Sequence, residues 1–395
     1  MPSRLTRYIL AEVMKIFVVA LVVLTTLILL IGVGRTLLKE GLGPLAVGQL
    51  LPYLLPVSLQ HAFPATALFS VSCVYGRMAG DGEVSTIKAS GISPLKILQP
   101  ALIFAFLLSP VALVLSDLAV SWGRPGIHRV VMLSIEDIVY RKMESQRSYI
   151  GKGFSIYVRD VEGRVMKSPR ITISQGGTPM KFKAEEGRLR LDVENEALYL
   201  ELTNSSLNRG SEIQGYIPKK ESYPIPLADG WKTPTADQLR PSEMPLRLIA
   251  TERLRQDQRL RAAEEKLAAH TAFSLLTSRP EEIVGVSGQQ MVGEINHSHR
   301  ILVKLQVEPW RRWSEGFSCF FFVLIGAPLA MIAKTSEYWM TFAKAFLPTI
   351  LIYYSLFILG LDMAKQSVFP PYGVWIGNAV LGVIGIGLVN HIRRC

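Results

Sequence analysis

The sequence predicts a membrane α-helical protein of six spanning helices, three before and three after an inserted all-β domain resembling a jelly roll. Two patterns carry that prediction. Six long apolar stretches fall in two groups near the ends of the 395-residue chain, and short runs of alternating hydrophobicity fill its middle. Composition agrees with such a division. A hydrophobic share of 49% and a mean hydropathy of +0.28 are high for a soluble chain and low for one lying wholly in lipid, so the apolar residues must be concentrated.

The first stretch, 16–34, runs without a charge and is followed by no small-residue cleavage site, so it reads as an uncleaved anchor. The second and third cover about 51–75 and 97–122, and the last three 317–333, 345–361 and 372–390. Each approaches or exceeds the length needed to cross a hydrocarbon core of roughly 30 Å. Pro56, Pro64, Pro110 and Pro328 interrupt them, which a lipid-embedded helix tolerates where neighbours satisfy the freed carbonyls. The predicted organisation is therefore a membrane half at 1–122, a β domain at 123–313 and a second membrane half at 314–395.

Orientation follows from the short loops. Arg4, Arg7 and Lys15 precede the first span, Arg77, Lys88 and Lys96 separate the second from the third, Lys334 separates the fourth from the fifth, and Arg393 and Arg394 follow the sixth. The opposite loops are poorer in cations, with Lys39 after the first span and Lys365 between the fifth and sixth. The bias predicts both termini in the cytoplasm and the 123–313 region on the far side, where the charge of a long domain does not count.

Within that region Phe154, Ile156 and Val158 alternate with polar neighbours, as do Phe182 and Ala184, then Leu189, Leu191 and Val193, then Leu198, Leu200 and Leu202. Turns are predicted at Glu162-Gly163, Gly176-Gly177, Glu186-Gly187 and Asn208-Arg209-Gly210. Even spacing of short strands points to a sandwich or jelly roll. From Met244 to Leu276 the pattern changes to a charged helix with a thin apolar stripe, an extra helix with a solvated or partner-facing surface.

Charge and motifs exclude several chemistries. The net charge of +11 suits anionic head groups, and no nucleic-acid-binding motif or one-sided basic face accompanies it. Cys73, Cys319 and Cys395 all lie in or beside apolar segments, so no disulfide framework or zinc spacing is present. The segment from Gly80 to Lys88 has glycines near a lysine without the spacing of a phosphate-binding loop. His297 and His299 share one side of a predicted strand, but a pair without a third ligand makes no metal site. With no nucleophile–base pairing either, the sequence predicts no catalytic residue, no metal and no cofactor.

The loop after the second span is more telling. It is predicted to hold a helix at 83–89, closed by Ser90-Gly91, with a second helix starting at Ser93-Pro94. Asp81 and Glu83 sit at the first helix's N-terminus, where the helix dipole favours acidic groups. They serve either to cap that helix or to pair with arginines of a docked protein.

This stretch, about 76–96, resembles the coupling helix of the lipopolysaccharide-export permease family LptF/LptG, through Gly76, Arg77, Asp81, Glu83, Lys88, Ala89, Ser90, Gly91, Ile92 and Ser93. Other pieces agree in order: the entry helix at 7–17, the segment 322–333 around Gly326, Pro328 and Leu329, the run 353–360, and Trp375, Ile376, Gly377 and Asn378. The charged helix at 244–276 is longer than the family usually carries there.

The resemblance implies an ABC transporter permease subunit that pairs with a paralogous permease above a dimer of a cytoplasmic ATPase (LptB-like). Such a subunit extracts lipopolysaccharide from the outer leaflet of the inner membrane and passes it through its periplasmic domain to bridge proteins (LptC/LptA-like). Carried onto this chain, the ATPase-coupling residues are Arg77, Asp81, Glu83, Ser90 and Gly91. Arg35 and Lys39, four apart at the outer end of the first span, either contact the phosphates of lipid A or snorkel to the interface. Gln60, His61 and Asp117 either line a cavity or bond between helices. Two other classes fit a membrane protein with an external domain: a four-span permease of the lipoprotein-release type, and a non-transporting scaffold or sensor.

Overall fold

The computed structural model describes residues 4–40, 43–151, 154–173, 180–192, 197–209, 213–217, 221–225, 239–279, 281–333 and 338–394. Among these, six helices are long and apolar enough to cross a membrane. In chain order, α1 is Arg4–Glu40, α2 Pro44–Gly80, α3 Glu83–Ala89, α4 Pro94–Leu118, α5 Arg124–Leu133 and α6 Ile135–Gln146. After the strands come α7 Leu246–Leu276, α8 Glu281–Val284, α9 Val286–Ala333, α10 Tyr338–Lys365 and α11 Ile376–Arg394. The spanning helices are α1, α2, α4 with its continuation, α9, α10 and α11. Pro100 and Pro110 lie inside α4, Pro309 and Pro328 inside α9 and Pro348 inside α10, as helices packed among other helices allow.

Contacts divide the chain into two units, the first being Met1–Ile28, Pro56–Ser121 and Arg240–Cys395. Its main core joins Ile9, Val13 and Phe17 of α1 to Val71, Tyr75 and Met78 of α2, Ile97 and Phe104 of α4, and Cys319 and Val323 of α9. Tyr75 Oη donates to the Ile97 carbonyl at 2.6 Å, satisfying a hydroxyl that is fully buried. Lipid offers no hydrophobic drive between spans, so close packing and such bonds hold them together. Asn378 of α11 does the same, its Nδ2 donating to Ser314 O and Ser314 Oγ at 2.9 Å each. The outward side of α1 carries Val18, Val19, Val22, Val23 and Leu27, all exposed.

The second unit, Leu29–Leu55 and Trp122–Leu239, holds the sheet. Its strands are β1 Ser148–Gly151, β2 Phe154–Tyr157, β3 Asp160–Glu162, β4 Val165–Lys167, β5 Arg170–Ile173, β6 Met180–Asp192, β7 Ala197–Arg209, β8 Ile213–Ile217 and β9 Glu221–Ile225. They form one nine-stranded antiparallel sheet in which β6 receives β5 and β4 along one edge and β7 along the other, while β8 and β9 follow each other along β7. Alternation builds its inner face from Phe154, Ile156, Ile171, Phe182, Leu189, Leu198, Leu200 and Leu202. The apolar stripe of α6, with Ile135, Val139, Tyr140 and Met143 at helical spacing, covers that face. Tyr140 Oη donates to Arg164 O at 2.9 Å and accepts from Leu189 N at 2.8 Å.

Four details differ from the sequence reading. The turn predicted at Glu186-Gly187 is absent, because β6 runs through it in unbroken register, with Glu186 opposite Thr203 and Gly187 opposite Leu202. Glycine stands there for space: a Cβ would come within 3.1 Å of Met166 and Pro169 side chains. His297 and His299 lie in α9, not in a strand. The helix α9 is 48 residues long rather than a bare span. Finally, Arg240–Cys395 groups with the spans, so α7 belongs by contact to that unit and not to the sheet's. The predicted turn at Glu162-Gly163 is present, with Gly163 at φ 61, whereas Gly176-Gly177 and Gly210 fall outside the described residues.

Candidate functional site

The short helix α3 occupies residues 83–89, as its sequence predicts. Its N-cap is Gly82, at φ 75, and no side chain caps it. Glu83 therefore does not act as a capping acceptor; it stands in the first turn, where the dipole favours its charge. Among the described residues no side-chain hydrogen bond or ion pair engages Asp81 or Glu83. The other end closes on Gly91 at φ 77, with Gly91 N donating to Lys88 O at 2.9 Å and Ile92 N to Ile87 O at 3.3 Å. That is the left-handed closure glycine permits without a Cβ penalty. Ser90 Oγ donates to Thr86 O at 3.0 Å.

Ser93 then caps α4, accepting from Leu95 N at 3.4 Å, with Pro94 in the first turn. Two defined helix ends fix the loop between α3 and α4 although it is only four residues long, Ser90 to Ser93. Val84 is the one buried side chain of α3, while Asp81, Ser85, Ala89, Ser90 and Gly91 are exposed. The outcome is a helix firmly closed at its C-terminal end, exposed along Ser85, Thr86 and Ala89, with half-buried Glu83 unengaged at its start.

Arg77 is placed elsewhere than with these acids. Its Nη2 lies 3.1 Å from Glu12 Oε2, and Glu12 Oε1 also takes Lys15 Nζ at 3.3 Å. Arg77 thus ties the base of α2 to α1. Beside this trio a groove of about 830 Å³ opens between α1, α2 and α10, with Ile16, Val19, Val23 and Leu27 on one wall and Phe69, Phe342 and Phe346 on the others. Its walls are apolar apart from Thr66, and its charges are confined to the Glu12–Lys15–Arg77 end.

Of the predicted lipid contacts, Arg35 is exposed near the end of α1. Lys39 lies in the same helix, and its side chain is outside the described residues. Gln60 donates from Nε2 to Ser116 Oγ at 3.2 Å, a bond between helices. Among the described residues no group of three or more His, Cys, Asp and Glu could hold a metal ion.

Asp117, like Gln60, bonds between helices, in a cluster whose other members escaped sequence reasoning. Arg312, fully buried, donates from Nε to Glu308 Oε1 at 3.0 Å, from Nη1 to Asp117 Oδ1 at 3.0 Å and from Nη2 to Met244 O at 2.5 Å. Asp117 Oδ1 also accepts from Leu246 N at 2.9 Å. Its neighbour Arg311 engages Glu308 and Glu315. The available signal was the charged run from Glu308 to Glu315, with Trp310 and Trp313 flanking Arg311-Arg312, at the mouth of an apolar stretch. Charges so placed are costly unless paired.

The sequence model of a family described as lipopolysaccharide export system permease LptF/LptG matches residues 7–278 and 292–391. The match takes in the α2–α4 loop, the sheet and all six spans, and omits only 279–291 between its two parts. No curated protein matches the chain.

Proposed function

The chain belongs to the LptF/LptG family of lipopolysaccharide export permeases, and from that premise we propose that it is the ABC transporter subunit through which ATP hydrolysis in a separate cytoplasmic chain drives lipopolysaccharide out of the inner membrane. As a family member with six apolar helices, it is a multi-pass inner-membrane permease and not itself an enzyme.

The observation that carries the proposal is α3: a short, half-exposed helix closed at its C-terminal end on Gly91, in which Glu83 is half-buried and neither it nor Asp81 has a side-chain partner within the described chain. Glu83, seconded by Asp81, docks against arginines of the ATPase, a charge-assisted contact that is directional and stronger than a neutral one. Ser90 and Gly91 hold the far end of α3 in the shape that the ATPase surface meets. Arg77 acts at one remove, by fixing α2 to α1 through Glu12. The α3 end faces the cytoplasm and the sheet faces the periplasm, an orientation supported by the cation-rich loops at the α3 end.

On the other face Arg35 and Lys39 meet the phosphates of lipid A. The sheet, paired with LptC/LptA-like bridge proteins edge to edge by strand addition, carries the acyl chains onward. A paralogous permease completes the membrane portion. Six spans favour this reading over a four-span lipoprotein-release permease. A non-transporting scaffold is separated from it by co-purification: wild type brings down an ATPase subunit and Glu83→Ala loses it. Equal recovery of the ATPase and equal ATPase activity in the two would refute the coupling.

A further inference from the structure

Three chain segments meet at one buried side chain. Arg312 reaches Asp117 in the last turn of α4, Glu308 one turn back along α9, and the carbonyl of Met244 just ahead of α7. Asp117 completes the circuit by accepting from Leu246 N, one of the amides that a helix N-terminus leaves without an internal partner. Pro245, the N-cap of α7, supplies no side-chain acceptor of its own.

Buried ion pairs of this kind seldom stabilise a fold better than apolar residues of the same volume would. What they do is fix one arrangement, and a guanidinium fixes three directions at once because its donors form a rigid planar fork. Packing along α4 points the same way. A Cβ on Gly316 of α9 would come within 3.3 Å of Leu113 Cβ and Ser109 O on α4, so the two helices touch closely one turn below the cluster.

The partners lie at informative places in the chain. The helix α4 starts at Pro94, after a four-residue link from α3, and its 25 residues span about 36 Å. Met244 and Leu246 stand where the chain, having left the sheet, enters α7. We infer that Arg312 is a positioning residue that makes the far end of α4 and the entry of α7 move as one piece, so that a displacement delivered at α3 reaches the chain leading from the sheet. This rests on the proposed coupling at α3.

The test uses the full transporter, with both permeases and the ATPase, reconstituted in vesicles containing lipopolysaccharide, and reads lipopolysaccharide released per ATP hydrolysed. Arg312→Lys keeps the charge but loses the fork. It is expected to hydrolyse ATP within about twofold of wild type while the released-per-ATP ratio falls at least tenfold. Asp117→Asn, which keeps an oxygen for Leu246 N and Arg312 Nη1, is expected to hold that ratio within threefold. If Arg312→Lys does not assemble, Arg312→Gln combined with Asp117→Asn removes both charges together and is scored by the same ratio. An unchanged ratio in the Arg312 variants, or failure of both to assemble, overturns the inference, since a positioning role requires that the fold survive. Wild type that hydrolyses ATP without releasing lipopolysaccharide would instead overturn the transport reading beneath it.

Discussion

Arg312 Nη1 and Asp117 Oδ1 lie 3.0 Å apart although 195 residues separate them in the chain, and the guanidinium is wholly buried. Removing the aspartate leaves Arg312, itself wholly buried, with Glu308 and the Met244 carbonyl, while the Asp117 side is one-third exposed and admits solvent. Asp117→Ala should therefore destabilise the first unit by about 2 kcal/mol, the cost of hydrogen bonds to a charged group rather than of a bare buried charge. Asp117→Asn should cost about 1 kcal/mol. Thermal unfolding in detergent, followed through the helical signal, ranks the two; equal midpoints would show that the pair carries no net energy.

Gly91 is a test of backbone alone. It sits at φ 77, and a Cβ there would meet no atom within 4 Å, so any cost of Gly91→Ala is conformational. About 1 kcal/mol is expected, visible as faster hydrogen exchange at Gly91 N and Ile92 N and as weakened recovery of the ATPase. An unaltered exchange rate would mean that α3 ends equally well in another way.

Tyr140 joins α6 to the sheet by two bonds from one hydroxyl, and burial pushes that hydroxyl's pKa up. Tyr140→Phe keeps the ring in the core but orphans Leu189 N, costing about 1–3 kcal/mol. Faster exchange of the β6 amides while exchange in the spans is unchanged would show the loss to be local to the sheet unit.

Lys167 and Glu186, 2.6 Å apart across β4 and β6, predict a pH window. The bond to Lys167 holds the Glu186 carboxyl below its ordinary value of 4.5, and Glu186 raises the Lys167 ammonium above 10.5. A depressed carboxylate contributes stability above its unfolded pKa and loses it as pH falls; a raised ammonium contributes below its own and loses it as pH climbs. The contribution is therefore full between about pH 5 and 10. Both groups are solvent-exposed, so it is small. Glu186→Gln should speed exchange in β4 at pH 7 relative to wild type, and the difference should shrink steadily as pH falls below 4.5; a difference that does not shrink with acidification would contradict this assignment.

Much of this was legible from residue order, for reasons that differ by element. Lipid imposes length and apolarity on a span, which is why 16–34 stands out unaided. Local rules also suffice for α3, since Gly91 and Ser93-Pro94 end and restart helices through their own backbones. Alternation found β2 and β7 but misjudged Gly187, because the close approach of β4 that demands glycine there is a tertiary fact. Likewise the polar first half of α9 carries no span signal, and His297 and His299 were assigned a strand period that its packing against α7 overrides. The Arg312 cluster was out of reach for a simpler reason. Its charges were visible, but its partners lie in α4 and ahead of α7.

The proposed coupling requires that the acidic end of α3 transmit the work of ATP hydrolysis. The most direct measurement is ATP-dependent release of lipopolysaccharide from vesicles carrying the complete transporter, comparing wild type with Glu83→Ala at equal amounts of the chain in the membrane. Release that requires ATP in wild type and falls at least tenfold in the variant is the predicted result. Release at the wild-type rate from Glu83→Ala would contradict it.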